Sequence, residues 1–278
     1  MGRIFGETPC RRLMDPAASD RAKPCTTATP PKQRGAGISQ MTSSLAVIVL
    51  NYKRPQNIAA ITLAARSALP NATIFVLDQA QDETHQWRDV DPQAMVWLRR
   101  SPRNDGAGAR VLLASHLPFT HYIAIDDDTF LTPGQISRLA ELLQSQPDRA
   151  HGIWGQRFER VNGGIQANGS LIQVNAPVSI LNRVYAFTRS QATAAIALSA
   201  RLGFASWRDI GPTDDILLSC AASKPPLVHA LGPFEQCATS NTPGVAVWKT
   251  EGFSDRRVEV CRRLLELKAL FVFERLPD

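Results

Sequence analysis

Short apolar runs and stretches of helical periodicity alternate along the first half of this 278-residue chain. The apolar runs predict four buried strands, at residues 45–50, 73–77, 94–98 and 122–125. Helices are predicted between them, over Pro55–Ala68 and over residues 106–116. Because strands that alternate with helices form parallel βαβ units, the pattern predicts an α/β fold with a mostly parallel sheet flanked by helices.

The second half of the chain has a more varied pattern. Thr132 is predicted to cap a helix over 133–144 that starts with Pro133. The other predicted elements are a strand at 152–155, hairpins or a mobile loop at 157–174, a strand at 184–188, a helix capped by Ser190 and reaching 202, a helix at 216–222, a strand at 226–230 and a helix at 255–267. The apolar faces of the first and last helices are expected to comprise Ile58, Ile61, Leu63 and Ala65, and Val258, Cys261, Leu264 and Leu265.

Each of the first four predicted strands ends in polar residues. The polar ends are Asn51-Tyr52, Asp78-Gln79, Arg99-Arg100 and Asp126-Asp127-Asp128. In open α/β sheets, ligands bind in the crevice outside the carboxyl ends of the strands. Asn51, Tyr52 and Arg54 are therefore candidates to line a base pocket, although a half-buried aromatic at a strand end explains Tyr52 equally well.

The three consecutive carboxylates at 126–128 are the most informative of these ends. Like charges at this spacing repel each other, so the cluster costs free energy unless a cation is present. A divalent cation such as Mn or Mg, bound together with a diphosphate, would relieve the repulsion, because hard cations take carboxylate and phosphate oxygens as ligands. A solvated acidic turn, with one Asp acting as a helix cap, is the alternative.

The net charge of +6 is concentrated near the amino terminus. Residues 1–40 contain seven Lys/Arg and three acids, which leaves +4 there and +2 on the remaining 238 residues. The near-neutral body argues against a nucleic-acid partner. The same 40 residues hold five prolines and no apolar periodicity, so they are expected to form a disordered basic leader that need not belong to the natural protein.

The five cysteines show no metal-ligand spacing, and no run approaches the ~20 apolar residues of a membrane span. We therefore expect free thiols in a reducing compartment, a cytoplasmic location and no transmembrane segment.

Several motifs, taken in order, resemble those of GT-A glycosyltransferases, most closely the exostosin-like (alpha-hexosaminyltransferase) family. The segment 126–131 resembles the DxD motif of that family, and 146–148 with 152–153 resembles its Pro-Asp and Gly-Phe segments. The segment 104–110 resembles the Asn-Gly-Ala-Arg segment before the DxD strand, and 213–216 a late acidic pair. Trp248 and Arg256-Arg257 resemble the late Trp and Arg. The resemblance covers residues 45–265.

This resemblance implies a transferase that uses a nucleotide-sugar donor, with a UDP-sugar expected, and a glycan or other hydroxyl acceptor. It implies a GT-A domain at 41–267, with a Rossmann-like nucleotide-binding half at 45–131 and an acceptor half at 132–267, followed by a C-terminal tail at 268–278. Asp128 and Asp126 are the expected metal ligands, with Asp126 or Asp127 placed at the ribose or at a metal-bound water. The further donor-binding residues that it implies are Asp78, Asn104, Arg110 and Arg257.

The acidic pair Asp214-Asp215 is the expected catalytic site. Asp215 would act as the general base if the reaction inverts the anomeric centre, or would orient the acceptor if it retains. The sequence leaves both possibilities open, and two acids in a first helical turn also suit the positive end of a helix. His229, after a predicted strand, could approach the metal or be structural.

Three other functions are compatible with parts of the pattern. A haloacid-dehalogenase-type phosphatase also has an acidic motif at a strand end, but Phe130 stands where that class needs Thr, and no Lys lies between Asp128 and Asp214. A nucleotidyltransferase would be expected to carry a Gly-rich loop after the first strand, and none is present. A catalytically inactive nucleotide-sugar or carbohydrate-binding protein would bind with metal but show no turnover.

Overall fold

The computed structural model describes residues 44–79, 96–100, 104–161 and 164–274. These residues belong to a unit that spans Met41–Asp278. The leader predicted at 1–40 lies outside the described residues, as do Asn162 and Gly163 of the predicted 157–174 loop.

The described residues form fourteen strands and six α-helices. The strands are β1 (Leu45–Asn51), β2 (Thr73–Asp78), β3 (Val96–Arg100), β4 (His121–Asp126), β5 (Thr129–Phe130), β6 (His151–Gly152), β7 (Trp154–Val161), β8 (Gly164–Ile172), β9 (Ala176–Pro177), β10 (Ile180–Leu181), β11 (Val184–Thr188), β12 (Leu227–Val228), β13 (Glu235–Gln236) and β14 (Phe273–Glu274). The helices are α1 (Pro55–Ala68), α2 (Ala109–His116), α3 (Pro133–Ser145), α4 (Arg189–Arg201), α5 (Asp214–Cys220) and α6 (Phe253–Glu266). Short 3₁₀ helices occur at Trp207–Ile210, Ala238–Asn241 and Val247–Lys249.

The central sheet has eight strands in the order β3-β2-β1-β4-β11-β6-β12-β9. The strands from β3 to β4 are all parallel, whereas β11 runs antiparallel to both β4 and β6. The fold is thus α/β with a mostly parallel sheet flanked by helices, which confirms the predicted class. The parallel arrangement brings the ends of β1, β2 and β4 to the same edge, where the acidic turn begins.

Both faces of the central sheet are buried, which explains why β1 is apolar at six consecutive positions. Successive side chains point to opposite faces. Ile48 packs in a cluster that includes residues of α2, α4, α5 and α6. Val47 and Val49 pack on the other face, against α1 and α3. The sheet is therefore a rigid platform for the groups at its edge.

A second, smaller sheet is built around β7. The strand β8 pairs with it in antiparallel register, and β10 and β14 also pair with it. Of the two structures predicted for 157–174, the hairpin is therefore the one observed. The strand predicted at 152–155 is divided between β6 and β7, because the chain passes there from the central sheet to the smaller one.

Two helices start at positions that differ from the predicted ones. Gly106 has a φ of +74°, outside the helical range, and Asn104 Oδ1 accepts from its N–H at 2.8 Å, so α2 starts three residues later than predicted. Thr188 caps α4 in place of Ser190, because its hydroxyl accepts from Gln191 N and the Gln191 side chain accepts from Thr188 N.

Two expected core positions are exposed. Leu63 on α1 is 67% exposed and Val258 on α6 is 68% exposed, so their inward assignment was wrong. Residue 260 is buried on α6 beside Cys261 and Leu264. The strand predicted at 226–230 is reduced to β12, and it is followed by β13 and β14.

A buried histidine pair joins β6 to the residue after β12. His151 Nδ1 lies 2.9 Å from His229 Nε2, and His151 Nε2 lies 2.9 Å from Gln146 O. Because a carbonyl only accepts, His151 donates from Nε2, and its Nδ1 accepts from His229. Burial, then His151, Arg138 and Arg149, lower the pKa of His229 to about 4.

We expect this pair to weaken the protein in acid. Because folding lowers the pKa of His229 below its ordinary 6.5, the stability contributed by the neutral ring is fully present above pH 6.5 and is lost as the pH falls towards 4. The loss from His229 is at most about 3 kcal/mol. His229→Gln keeps a side-chain N–H donor without a titrating ring, so its urea-unfolding free energy should change less between pH 7 and pH 4.5 than that of the wild type. Equal changes in both proteins would contradict this expectation.

Candidate active site

The acidic turn follows β4 without a break. Asp126 is the last residue of that strand, and the turn leads into β5, which pairs antiparallel with β13. Asn57 Nδ2 on α1 donates to Asp127 O at 2.8 Å, and Cys237 N donates to Asp128 O at 2.9 Å. These main-chain contacts fix the turn from both sides, so its three carboxylates point to different partners.

Asp127 is held by the residues that follow β1. Arg54 Nη1 lies 2.7 Å from Asp127 Oδ1, and Tyr52 N donates to Asp127 Oδ2 at 2.5 Å. Arg54 also donates to the Thr239 side chain and carbonyl. Burial raises the pKa of Asp127 to about 7, with Arg54 and the Tyr52 N–H opposing the rise and Asp126 adding to it. Asp127 therefore fastens the β1 end to the acidic turn.

Arg110 of α2 joins the two acidic segments. Its Nη1 pairs with Asp126, its Nε lies 3.1 Å from Asp214 Oδ2, and its Nη2 donates to Tyr185 Oη at 3.1 Å. Arg110 is 2% exposed. Burial raises the pKa of Asp126 to about 6, with Arg110 opposing and Asp128 contributing; burial also raises the pKa of Asp214. A single buried cation thus lies between the acidic turn and the start of α5.

Asp128 contacts two guanidinium groups. Arg183 Nη1 lies 3.2 Å from Asp128 Oδ2, and Arg54 Nη2 lies 3.7 Å from the same oxygen. Thr129 Oγ1 donates to Asp128 Oδ1 at 3.1 Å. Both of these ion-pair distances are longer than the 2.7 Å between Arg54 and Asp127, so Asp128 is less tightly paired than Asp127.

Asp215 forms a bidentate ion pair with Arg257 of α6. The two distances from the Arg257 Nη atoms to the Asp215 oxygens are 2.7 and 2.8 Å. Asn182 Nδ2 donates to Asp215 Oδ2 at 2.9 Å, and Ile216 N donates to Oδ1 at 2.8 Å. Each carboxylate oxygen therefore accepts two hydrogen bonds, which fixes its orientation. Coulombic attraction to Asp215, and the hydrogen bonds to it, raise the pKa of Arg257 above its ordinary value despite burial.

Asn51 and Asp78 lie side by side at the ends of β1 and β2. Asn51 Nδ2 donates to Asp78 Oδ1 at 2.8 Å, and both residues are buried. Gln79 N donates to Asn51 O at 2.9 Å, and the Gln79 side chain accepts from Asp105 N. The turn that contains Asn104 therefore lies next to the β2 end, with Asn104 itself exposed.

The described structure brings most of the predicted residues together in two groups. The first, around the acidic turn, contains Tyr52, Arg54, Arg110 and the three acids. The second contains Arg257 and Asp215, and Asp214 is linked to the first group through Arg110. All three Arg110 nitrogens have protein partners. His229 is engaged with His151, as described above.

Three contacting residues were missed by the sequence reasoning. Arg183 contacts Asp128, Asn182 contacts Asp215, and Tyr185 contacts Arg110. No local motif marks them. The only signal was their position directly before and within the strand predicted at 184–188.

The oxygen donors at the turn fit a hard divalent cation. Mg²⁺ is usually held by one or two carboxylates together with substrate phosphates, and Asp126 and Asp128 can supply that number. These two acids are separated by a single residue of the turn. Among residues 44–79, 104–161 and 164–274, no group of three or more His, Cys, Asp or Glu side chains converges on one point, so substrate oxygens would have to complete the coordination.

None of the helices in the described parts of the chain has the length and apolar character needed to cross a bilayer. The described cysteines, at 220, 237 and 261, are free thiols.

Comparisons with known proteins identify the fold. No family model and no curated protein matches the sequence. The structure of S. aureus TarS 1-349 matches with a TM-score of 0.50 and 14% identity, over 80% of this chain and 72% of that one. GalNAc-T7, solved with UDP, GalNAc and Mn²⁺, matches with a TM-score of 0.51 and 10% identity, over 78% of this chain.

The chain spans 48% of the GalNAc-T7 structure and 39% of a longer S. aureus TarS structure, which matches with a TM-score of 0.51 and 12% identity over 80% of this chain. TarS and GalNAc-T7 are glycosyltransferases. At these identities the likeness concerns the fold, and this chain has a GT-A-like glycosyltransferase fold.

Proposed function

We propose that this protein is a metal-dependent glycosyltransferase that moves a sugar from a UDP-sugar to a hydroxyl group of a glycan or another acceptor. The observation that carries the proposal is the position of Arg110, whose guanidinium contacts both Asp126 and Asp214. Direct transfer requires the donor diphosphate and the acceptor hydroxyl to lie next to each other. One guanidinium that contacts both acidic segments supports that arrangement.

The donor is proposed to bind across the ends of β1, β2 and β4. Asp78 and Asn51 would contact the base, and Tyr52, Arg54 and Asn104 would surround it and the ribose. Asp126 and Asp128 would hold Mn or Mg, with Asp127 fixing the turn through Arg54. The cation would supply charge neutralisation for the departing diphosphate. GalNAc-T7, whose solved structure contains UDP and Mn²⁺, supports this choice of donor and metal.

The acceptor is proposed to bind at Asp215. Its two oxygens each accept two hydrogen bonds, from Arg257, Asn182 and Ile216 N. A carboxylate held this firmly is suited to orienting a hydroxyl group, which favours the orienting role over that of a free general base. This role agrees with the exostosin-like resemblance and with a hexosyl- or N-acetylhexosaminyltransferase. Contact between Arg257 and the diphosphate would require the Asp215 pair to open.

We expect calorimetric titration to detect UDP binding only when Mn²⁺ or Mg²⁺ is present. The physical reason is that the carboxylates of the turn repel a diphosphate unless a cation is bound between them. The titration should compare UDP, GDP and CDP with and without manganese, because the base preference follows from contacts at Asn51 and Asp78. Uridine, which lacks phosphates, is the matched control and should show little metal dependence.

Equal UDP affinity in excess chelator would contradict the metal-dependent proposal. Metal-dependent binding without sugar transfer to a broad acceptor panel would instead identify a nucleotide-sugar-binding protein. Transfer is measured as release of UDP from a UDP-sugar in the presence and absence of acceptor, which separates it from hydrolysis.

A further inference from the structure

A two-residue turn, Asn182-Arg183, connects the two sheets of the molecule. It follows β10 of the smaller sheet and precedes β11 of the central sheet. Arg183 has a φ of +65°, a left-handed conformation that residues other than glycine rarely adopt. Such strain persists only where the surroundings impose it, and it is concentrated at functional sites.

The surroundings hold this turn at both residues. Asn182 N donates to Trp154 O at 2.9 Å, and Asp126 N donates to Arg183 O at 3.2 Å. The Asn182 side chain contacts Asp215, and the Arg183 side chain contacts Asp128. Two consecutive residues therefore contact the acids of the proposed acceptor and donor sites.

The Arg183 guanidinium is only partly engaged. It stacks over the Trp154 ring at 4.5 Å, and its Nη1 lies 3.2 Å from Asp128 Oδ2. This nitrogen is buried and makes no hydrogen bond with any described residue, so the contact with Asp128 is an ion pair without hydrogen-bond alignment. A guanidinium presents a planar fork of donors that matches phosphate oxygens. The fork at Arg183 therefore has unused hydrogen-bonding capacity beside the acid expected to hold the cation.

We propose that Arg183 is a diphosphate-binding residue that neutralises Asp128 in the free protein and transfers to the donor when a divalent cation takes that carboxylate. The inference rests on the proposed function. A cation and a guanidinium compete for the same Asp128 oxygen, so binding of the cation releases Arg183. The released fork remains positioned by Trp154 and by the strained backbone, next to the cation that the diphosphate would share.

Arg183→Gln tests the inference because it removes the charge and the fork while keeping a polar side chain. The variant should bind Mn²⁺ alone about threefold to tenfold more tightly than the wild type, because Arg183, the nearer of the two guanidinium groups, no longer competes for Asp128. With saturating Mn²⁺ it should bind UDP about tenfold more weakly and uridine as the wild type does. Arg183→Lys retains a charge without the fork, so its Mn²⁺ affinity should be close to that of the wild type.

Arg138→Gln is the matched control, because Arg138 is an exposed arginine paired with Glu141 on α3. It should change neither affinity. If Arg183→Gln bound Mn²⁺ no more tightly than the wild type, or bound UDP equally well, the inference would be overturned. The proposed function would still stand in that case, provided that the wild type binds UDP in the presence of Mn²⁺. Failure of the wild type to bind any nucleotide would overturn the proposed function and the diphosphate role together.

Discussion

Asp215→Asn should lower the turnover number by a factor of about 10², the effect of losing an orienting group, and leave UDP affinity unchanged. The acid contacts Arg257, Asn182 and the Ile216 N–H, which belong to the proposed acceptor side of the site. A group that serves the acceptor acts on the transition state, so its removal lowers kcat rather than donor binding. Initial rates of UDP release, with UDP affinity measured separately by calorimetry, provide the check.

Asp128→Asn is the companion variant and should give the opposite pattern. It removes the charge of a proposed metal ligand, so the metal-dependent part of UDP affinity should be lost. Asp215→Asn also leaves the Arg257 charge without its partner, and its melting temperature has to be measured to confirm that it is folded. Loss of UDP affinity in Asp215→Asn with normal folding would show that the division into donor and acceptor acids is wrong.

Arg110→Met should destabilise the protein by about 3–5 kcal/mol at pH 8, because it leaves the buried Asp214 and the partly buried Asp126 without the cation that pairs with both. Arg110 itself is 2% exposed. Both acids already have raised pKa values. When folding raises the pKa of an acid, the folded protein becomes less stable as pH rises and the acid ionises. The stability lost in Arg110→Met should therefore be smaller at pH 5, where more of both carboxyl groups is protonated.

Urea unfolding at the two pH values measures this deficit. Asp214→Asn in the Arg110→Met background should recover part of the lost stability at pH 8, because it removes one of the two uncompensated charges. Arg138→Met, at an exposed pair, is the control and should change stability by less than about 1 kcal/mol. If Arg110→Met lowered the unfolding free energy by less than about 1 kcal/mol, and equally at both pH values, Arg110 would not be needed to compensate the charges of Asp126 and Asp214.

The elements around the proposed donor site could be predicted because their signals are local. The apolar run of β1, the Pro55 start of α1 and the cap at Thr132 depend on neighbouring residues, and each is observed as expected. Polar strand ends also follow from the pattern, and parallel pairing then brings them to the same edge.

The polar core of α1 could not be predicted in the same way. Asn57 and Thr62 are buried although they are polar, whereas Leu63 is exposed. Asn57 is buried because its amide bonds to the main chain of the acidic turn, 70 positions away in the sequence. Periodicity measures hydropathy, and it contains no information about a hydrogen-bond partner so distant along the chain.

The partner of each acid was also beyond the sequence. Arg54, Arg110, Arg183 and Arg257 are equivalent as residue types, and which of them contacts which carboxylate depends on the packing of separate elements. Arg183 lacked any motif because its position results from a turn between two sheets. The residue types of the site were therefore predictable, and the charge pairing was not.

The short strand β14 has a consequence for protein engineering. It pairs in parallel with the Glu159–Arg160 stretch of β7, while β8 pairs with β7 along most of its length. A chain shortened before Phe273 would leave this stretch of β7 without β14, and an unpaired strand edge is a template for aggregation. A carboxyl-terminal purification tag is therefore best attached beyond Glu274, with a spacer that allows β14 to pair with β7.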